Sequence, residues 1–599
     1  MKQLKGLGVS NGFAIGKALL ILDENTVVVE ERIEESSLEK EADHFLGALE
    51  TAKTQIKNIR EKVKGKIGDE NAFIFDTHIM LLSDSSLKQE TLKFIRKHHC
   101  NASWAFSQVL MGILKEFSAL GDSYFTERGN DLRDVGKRVL KVMRGAKEFG
   151  FKNLTDNVIV IGSEFGPSNI TNFDHPHILG FATDVGAQTT HTAIIAKALG
   201  LPAVVGLHDV SKQVKSGDTV ILDSFGGKVI INPDKATLKK YGKLIRLYQE
   251  EEANYLKDIS EPTISQDGLE IQLLANIELP HEVDGALING ARGVGLYRTE
   301  FLFLKYDPEL PTESDQFETY CTIAKSLGEL PLTIRTLDMG GEKFFHRTFV
   351  REKEVNPVMG LRGIRLCLQR KDIFRTQLRA ILRAAYHHKN IKVMFPLLSG
   401  VKEWRAALHF LHQVQDELRR EGIPFEEKPV LGIMIEVPSA AMVADHLARE
   451  VDFFSIGTND LIQYFLAIDR ANDDVSYLYD PFHPGFVRLL SMVIDAANEA
   501  GIEVSCCGET ASSPIYACLL ILLGLKHLSM NPSSLPIIHH MIRAMDFEKL
   551  RNLVKDPIHG SMDQENKLTF NQAFRNLLNE KDFQHIINEL DKRTELDLT

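Results

Sequence analysis

The stretch "VLGIMIEVPSAAMVADHLAREVDFFSIGTND" (residues 430–460) runs from a short apolar strand through a helical stretch into a second apolar strand. Each strand ends in polar side chains, Glu436 on the first and Asn459 with Asp460 on the second. The same unit recurs on either side. Short apolar runs, each followed by a helical stretch, stand at "IQLLANIE" (271–278), "GVGLYRTE" (293–300), "LTIRTLD" (332–338), "IKVMFPLL" (391–398), "VLGIMIEVP" (430–438), "FFSIGTND" (453–460), "IEVSCCGE" (502–509) and "KHLSM" (526–530). Eight β/α units predict a closed parallel (β/α)8 TIM barrel over residues 261–575.

In such barrels the chemistry sits at the carboxyl ends of the strands, where the βα loops converge. Arg298 and Glu300 follow the second run, Arg335 and Asp338 close the third, Glu436 closes the fifth, Asn459 and Asp460 the sixth, and Cys507 and Glu509 the seventh. Arg362 and Arg470 lie in neighbouring loops. Any one of these charges, taken alone, reads more readily as a loop salt bridge. As a set ending successive strands, they read as a site for a phosphorylated anion with a divalent metal: arginines fork onto phosphate and carboxylate oxygens, and two carboxylates hold a hard cation. Adjacent residues on a strand face opposite ways, so only one of Cys506 and Cys507 can face the site. Cys507, at the strand end, reads as a proton donor, and Cys506 as a buried apolar residue.

Upstream of the barrel, "DKATLKKYGKLIRLYQEEEANYLK" (234–257) is rich in Lys and Glu and reads as an exposed rather than a packed helix, a linker over residues 234–260. Before it, strand-like sequence stands at "NGFAIGKALLI" (11–21), "NVIVIG" (157–162) and "DTVILDS" (218–224). Between the first two lie windows such as "SLEKEADHFLGALETAKTQIKNIREKV" (37–63), with apolar residues at three- and four-residue spacing. The expected arrangement is a small α/β domain (1–21 and 148–233) carrying an inserted helical bundle (22–147), with a charged tail at 576–599.

The 599 residues carry 70 Lys+Arg against 82 Asp+Glu, a formal charge of −12, all of it beyond residue 260, which makes a basic nucleic-acid wrapper an unsuitable reading. A hydrophobic share of 44% excludes wholesale disorder. The longest apolar runs, such as Ala517 to Leu523, fall well short of the ~18 residues of a membrane span. With no signal-peptide pattern and no C-x-x-C among 6 cysteines, a reducing cytoplasm is the expected home.

The most specific stretch is "TDVGAQTTHTAIIAKALGLPAVVG" (183–206). A Gly-containing loop leads through Thr189 and Thr190 to His191, at the start of a helix that stops at Gly200-Leu201-Pro202. A helix N-terminus offers unpaired N–H groups and a positive dipole end, suited to an imidazole that must hold a phosphoryl group.

Taken together, "GAQTTHTAIIAKALGLPAVVG", "GVGLYRTEFLF", "RTLDMGGEK", "NPVMGLRGIR", "MIEVPSAA", "FFSIGTNDLIQYFLAIDR" and "CGET" resemble the phosphohistidine and phosphoenolpyruvate-binding motifs of enzyme I of the bacterial phosphotransferase system. The resemblance runs from "GLGVSNGFAIGKALL" to about residue 575. It implies a swivelling phosphohistidine α/β domain whose His191 takes a phosphoryl group from phosphoenolpyruvate, releasing pyruvate. His191 would then pass the group to a histidine of the phosphocarrier protein HPr, the first step of sugar uptake. It further implies that Arg298, Arg335, Arg362 and Arg470 bind phosphate and carboxylate, that Asn459 contacts substrate, that Glu436 and Asp460 hold Mg²⁺, and that Cys507 protonates the enolate carbon. Homodimerisation through the barrel follows from the resemblance alone. In the helical insertion, "FDTHIMLLSD" (75–84) and "ERGNDLRDVGKR" (127–138) are similar to the family's carrier-docking helices, which makes His78 and Arg128 candidate contacts.

Two departures stand out. The family usually shows Gly-Gly-Arg-Thr-Ser-His where this chain has Gly186-Ala187-Gln188-Thr189-Thr190-His191, so a basic side chain is missing beside the phosphoryl group. Where a Thr often follows Pro-Ser-acidic, this chain has Pro167-Ser168-Asn169-Ile170, with Thr171 next. A pyruvate phosphate dikinase or phosphoenolpyruvate synthase shares the histidine and barrel but needs a nucleotide-binding domain, for which no glycine-rich phosphate loop precedes His191. A nitrogen-branch regulatory enzyme I lacking its sensory domain and a non-catalytic scaffold of the same fold are the alternatives, and the complete His191, Glu436, Asp460 and Cys507 set speaks against the latter.

Overall fold

The computed structural model describes residues 1–10, 12–21, 30–67, 78–79, 81–83, 85–119, 123–143, 154, 156–163, 165, 175–186, 196, 201–306, 310–340, 356–469, 475, 478–554, 564–578 and 583. The chain divides into two compact units, Met1–Gln249 and Glu250–Thr599.

In the first unit, eight strands form one sheet: β1 (Lys2–Lys5), β2 (Leu7–Ser10), β3 (Phe13–Ile21), β4 (Val158–Gly162), β5 (Ile178–Thr183), β6 (Ala203–Val205), β7 (Thr219–Asp223) and β8 (Lys228–Ile231). Their order is β1-β8-β7-β3-β4-β5-β6-β2. β3, β4, β5 and β6 run parallel at the centre, and antiparallel pairs flank them. β4, "VIVIG", is buried at every position, as a central strand covered on both faces must be. Its alternation puts Ile159 and Ile161 in one core cluster and Val158 and Val160 in another.

Five of these strands, β1, β2, β5, β6 and β8, escape the sequence reading. They are three to six residues long, and edge strands such as "KQLK" carry the polar side chains that exposed positions require.

Helices Leu38–Ile67, Ser85–His98, Ala102–Ala119 and Ser123–Met143 pack around a core of their own that includes Phe45, Phe106, Ile95 and Val139. A Cβ at Gly136 would stand 2.3 Å from Leu110 Cδ2, so glycine lets the last two helices approach closely. His78, read from sequence as a surface contact, is only 1% exposed: it sits on a short helical segment whose neighbour Leu82 belongs to the bundle core. Arg128 lies on helix Ser123–Met143.

The linker helix spans Lys235–Tyr255, and the division between units falls within it. The expected exposure holds for the face that carries the lysines, but the opposite face packs. Leu238, Tyr241, Leu244 and Tyr248 recur at helical spacing beneath the lysines. Tyr241 is buried against Ile221 and Ile230, its hydroxyl donates to Asp223 Oδ2 at 2.9 Å, and Tyr248 meets Phe13 edge-on. At the other end, Tyr255 belongs to the core of the second unit.

The second unit is a closed barrel of β9 (Gln272–Ile277), β10 (Val294–Arg298), β11 (Leu332–Arg335), β12 (Ile391–Phe395), β13 (Val430–Ile435), β14 (Phe453–Ile456), β15 (Glu503–Cys506) and β16 (His527–Met530). All neighbours are parallel, and β16 pairs with β9 to close the ring. Each of the eight sequence-predicted runs contains one of these strands. Helix Gln564–Leu577 follows, and Phe583, in the segment expected to be a charged tail, is buried against Tyr255 and His540, because an aromatic ring outweighs its polar neighbours when an apolar seat is in reach. Among the described residues no helix is long and apolar enough to cross a membrane.

Candidate active site at the barrel mouth

A cavity of about 360 Å³ opens among the carboxyl ends of the barrel strands, and its wall includes Arg298, Arg335, Arg362, Glu436, Asn459, Asp460 and Cys507. These sequence-predicted residues are brought together by strand ends: Arg298 is the last residue of β10, Arg335 the last of β11, Glu436 follows β13 and Cys507 follows β15. His191 and Arg470 lie outside the described residues, as do Gln188, Ile170 and Thr171.

The arginines are held by acids. Arg335 Nη2 stands 3.1 Å from Glu300 Oε2, and its Nη1 stands 3.2 Å from Asp338 Oδ2. Arg362 forks onto Asp338 (Nε–Oδ1 3.2 Å, Nη2–Oδ2 2.9 Å) and also reaches Asp460 Oδ2 at 2.9 Å. Glu300 Oε1 accepts the Asp338 backbone N–H at 2.7 Å, which ties the loop after β11 to that after β10. Burial works against the charge on both guanidiniums, but the surrounding carboxylates outweigh it and raise their pKa values further, so both stay cationic. Arg298, half-exposed, pairs with Glu278 at 2.7 Å.

Glu436 is 2% exposed. Its Oε1 accepts the Leu397 N–H at 2.6 Å, and Leu397 holds a left-handed backbone (φ 57°). Such a conformation is costly for a branched residue and is retained where the surroundings impose it. Burial, then Asp338 and Asp460, push the Glu436 carboxyl up to about 8, against the pull of Arg335 and Arg362.

Cys507 lies at the top of an apolar layer inside the barrel, with Leu296, Met394, Met434 and Phe453, while Cys506 faces the outer core. Burial first, then the neighbouring Cys506, pushes the Cys507 thiol up to about 12, so it carries its proton at neutral pH. Asn459 braces the loop after β15: its Oδ1 accepts the Glu509 N–H at 2.9 Å. Thr458 and Thr510 share a buried hydroxyl bond of 2.6 Å.

Four buried acidic side chains, Glu300, Asp338, Glu436 and Asp460, thus face two guanidiniums, Arg335 and Arg362. That surplus of oxygen donors over guanidiniums fits a divalent cation, whose binding would draw the proton from Glu436. Among the described residues no three or more His, Cys, Asp or Glu side chains form a metal cage. A pair of carboxylates completed by substrate oxygens and water is the usual manner of Mg²⁺.

Sequence reasoning missed Glu278, although it ends "IQLLANIE" as Glu436 ends its own strand, and that position was the available signal. It also missed the Leu397 amide, which nothing in the sequence marks.

Three family models cover the chain: PEP-utilising enzyme, N-terminal, at residues 5–128; PEP-utilising enzyme, mobile domain, at 154–227; and PEP-utilising enzyme, PEP-binding domain, at 250–547. The protein of Bacillus sp. (strain S) named Phosphoenolpyruvate-protein phosphotransferase is 40% identical over 534 residues, 89% of this chain and 92% of its own. The protein of that name from Bacillus subtilis (strain 168) is 39% identical over 535 residues, covering 89% and 93%. This chain belongs to the phosphoenolpyruvate-protein phosphotransferase family. It is an α/β multidomain enzyme of that family, with a mobile domain and a TIM barrel.

Proposed function

We propose that this phosphotransferase moves the phosphoryl group of phosphoenolpyruvate to its own His191, releases pyruvate, and hands the group to a histidine of the phosphocarrier protein HPr, opening the phosphotransferase route of sugar uptake in the cytoplasm. The observation that carries this reading is the convergence of three arginines, two metal-suited carboxylates and a protonated thiol on one cavity at the barrel mouth.

Arg298, Arg335, Arg362 and Arg470 would bind the phosphate and carboxylate oxygens of the substrate, with Asn459 at its edge. Their fork geometry matches both groups. Glu436 and Asp460 would hold Mg²⁺, which when bound supplies positive charge to substrate oxygens. As the P–O bond breaks, its electron pair leaves with the enolate of pyruvate, and the fixed guanidiniums stabilise the charge that develops there. Cys507 then gives its proton to the enolate carbon.

His191 and the cavity belong to different units of the chain. We therefore assign residues 1–21 and 148–233 to a domain that carries His191 between the barrel and the carrier, residues 22–147 to carrier docking with Arg128 as a contact, residues 234–260 to the linker, and residues 261–575 to substrate binding and homodimerisation. Neither nucleic acid nor membrane enters this scheme.

The test is incubation of the purified protein with ³²P-labelled phosphoenolpyruvate, Mg²⁺ and HPr. Acid-labile, base-stable label on the enzyme and then on HPr is expected, with none for His191→Ala. Labelling that survives His191→Ala refutes the assignment.

A further inference from the structure

The loop that presents Cys507 is held from both sides of the chain. Its backbone N–H donates to Ile456 O on β14 at 3.1 Å. Its backbone carbonyl accepts from Asn276 Nδ2 on β9 at 2.9 Å. Asn276 is itself oriented: the fully buried Ser529 on β16 donates its hydroxyl to Asn276 Oδ1 at 2.6 Å. Chemistry fixes the amide's direction, because a carbonyl only accepts, so Nδ2 must face Cys507 and Oδ1 must face the serine hydroxyl.

Ser529 has little freedom of its own. A Cβ at Gly295 on β10 would stand 2.5 Å from its Oγ, so glycine there leaves just the room the hydroxyl occupies. The result is a relay of Ser529, Asn276 and the Cys507 carbonyl. With N–H and C=O both bonded, the peptide planes on either side of Cys507 are pinned, and the direction of its Cα–Cβ bond into the cavity is pinned with them.

We infer that Asn276, oriented by Ser529, is a positioning residue for the proton-donating thiol of Cys507. The inference rests on the role proposed above for Cys507. In that step the Sγ–H bond breaks with its electron pair left on sulfur. The π pair of the enolate forms the new C–H bond, the enolate oxygen becomes the ketone of pyruvate, and the thiolate regains a proton from water. A donor on a short side chain can reach the carbon only if its backbone is held, and displacement by about 1 Å can cost on the order of 100-fold. Asn276 touches no reacting atom, so its effect must pass through Cys507.

The test is single-turnover rapid quench of the full chain, timing ³²P incorporation into protein and pyruvate formation in the same samples. In the wild type the two are expected to coincide. In Asn276→Ala, and equally in the isosteric Asn276→Asp, which has no donor for the carbonyl, pyruvate formation should trail label incorporation by about 10- to 100-fold, with KM for phosphoenolpyruvate unchanged. Ser529→Ala should give a smaller lag. Cys507→Ala should lag at least as far, and adding Asn276→Ala to it should cost nothing more, since residues that act as a unit are not additive. General structural damage would slow both signals alike and would multiply with the loss in Cys507→Ala.

Coincident signals in both Asn276 variants, or multiplied losses in the double variant, overturn the positioning role while leaving Cys507 in place. Coincident signals in Cys507→Ala overturn the thiol's role and this inference with it.

Discussion

Replacing Glu436 by Gln should make the protein more stable and catalytically dead at once, with the gain in stability growing with pH. Burial disfavours the charged form of Glu436 above all, Asp338 and Asp460 add to this, and Arg335 and Arg362 only partly offset them, so its carboxyl is pushed from the usual 4.5 to about 8. The folded state therefore keeps a proton that the unfolded chain gives up. Stability is fully present below pH 4.5 and is lost at about 1.4 kcal/mol per pH unit up to pH 8, about 5 kcal/mol in all. Gln is isosteric, can still accept the Leu397 N–H, and has no proton to lose. The difference in unfolding free energy between E436Q and wild type, from urea titrations without metal, should be small at pH 5 and widen to several kcal/mol in favour of the variant by pH 8.5. Phosphoryl transfer from phosphoenolpyruvate should fall below detection in the same variant. A difference that stays flat between pH 5 and 8.5 would show that neither burial nor the neighbouring acids hold the proton on Glu436, and the reasoning would fail.

Arg362→Met strips a guanidinium from both Asp338 and Asp460, and leaving buried charge uncompensated should cost about 3–5 kcal/mol, read as a lower urea midpoint; a loss under about 0.5 kcal/mol would mean that solvent already screens the pair. Gly508→Ala would place a Cβ 1.8 Å from Thr458 Oγ1 and 2.8 Å from its backbone N. The overpacking should cost about 1–3 kcal/mol and shift Cys507 enough to reduce turnover by on the order of 100-fold; wild-type turnover would contradict the packing described. Tyr241→Phe removes the hydroxyl bond to Asp223 and should cost about 2 kcal/mol in thermal unfolding of the first unit, with no change in the barrel's own transition; an unchanged melting temperature would place that bond among those that water replaces freely.

The barrel is legible because each of its strands is a contiguous apolar run stopped by a polar residue, and because Glu436, Asp460 and Cys507 stand at those stops. The N-terminal sheet is less so: β6 has three residues, "AVV", and β1 is a polar edge, and neither leaves a period long enough to read. In the linker, lysines at 239, 240 and 243 mask the apolar line through Tyr241 that fits the sheet. His78 looks like a surface histidine because its neighbours in sequence are mixed, and only the packed bundle shows it buried. The braces of the site are farthest from view. Asn276 and Ser529 lie 253 residues apart, and nothing local marks either as touching the other.

The Asn276–Ser529 bond also joins the first barrel strand to the last, at the edge where the ring shuts. Chain segments so distant meet late and slowly during folding. Under the role proposed for Cys507, the contact that shuts the ring would also complete the support of the proton donor.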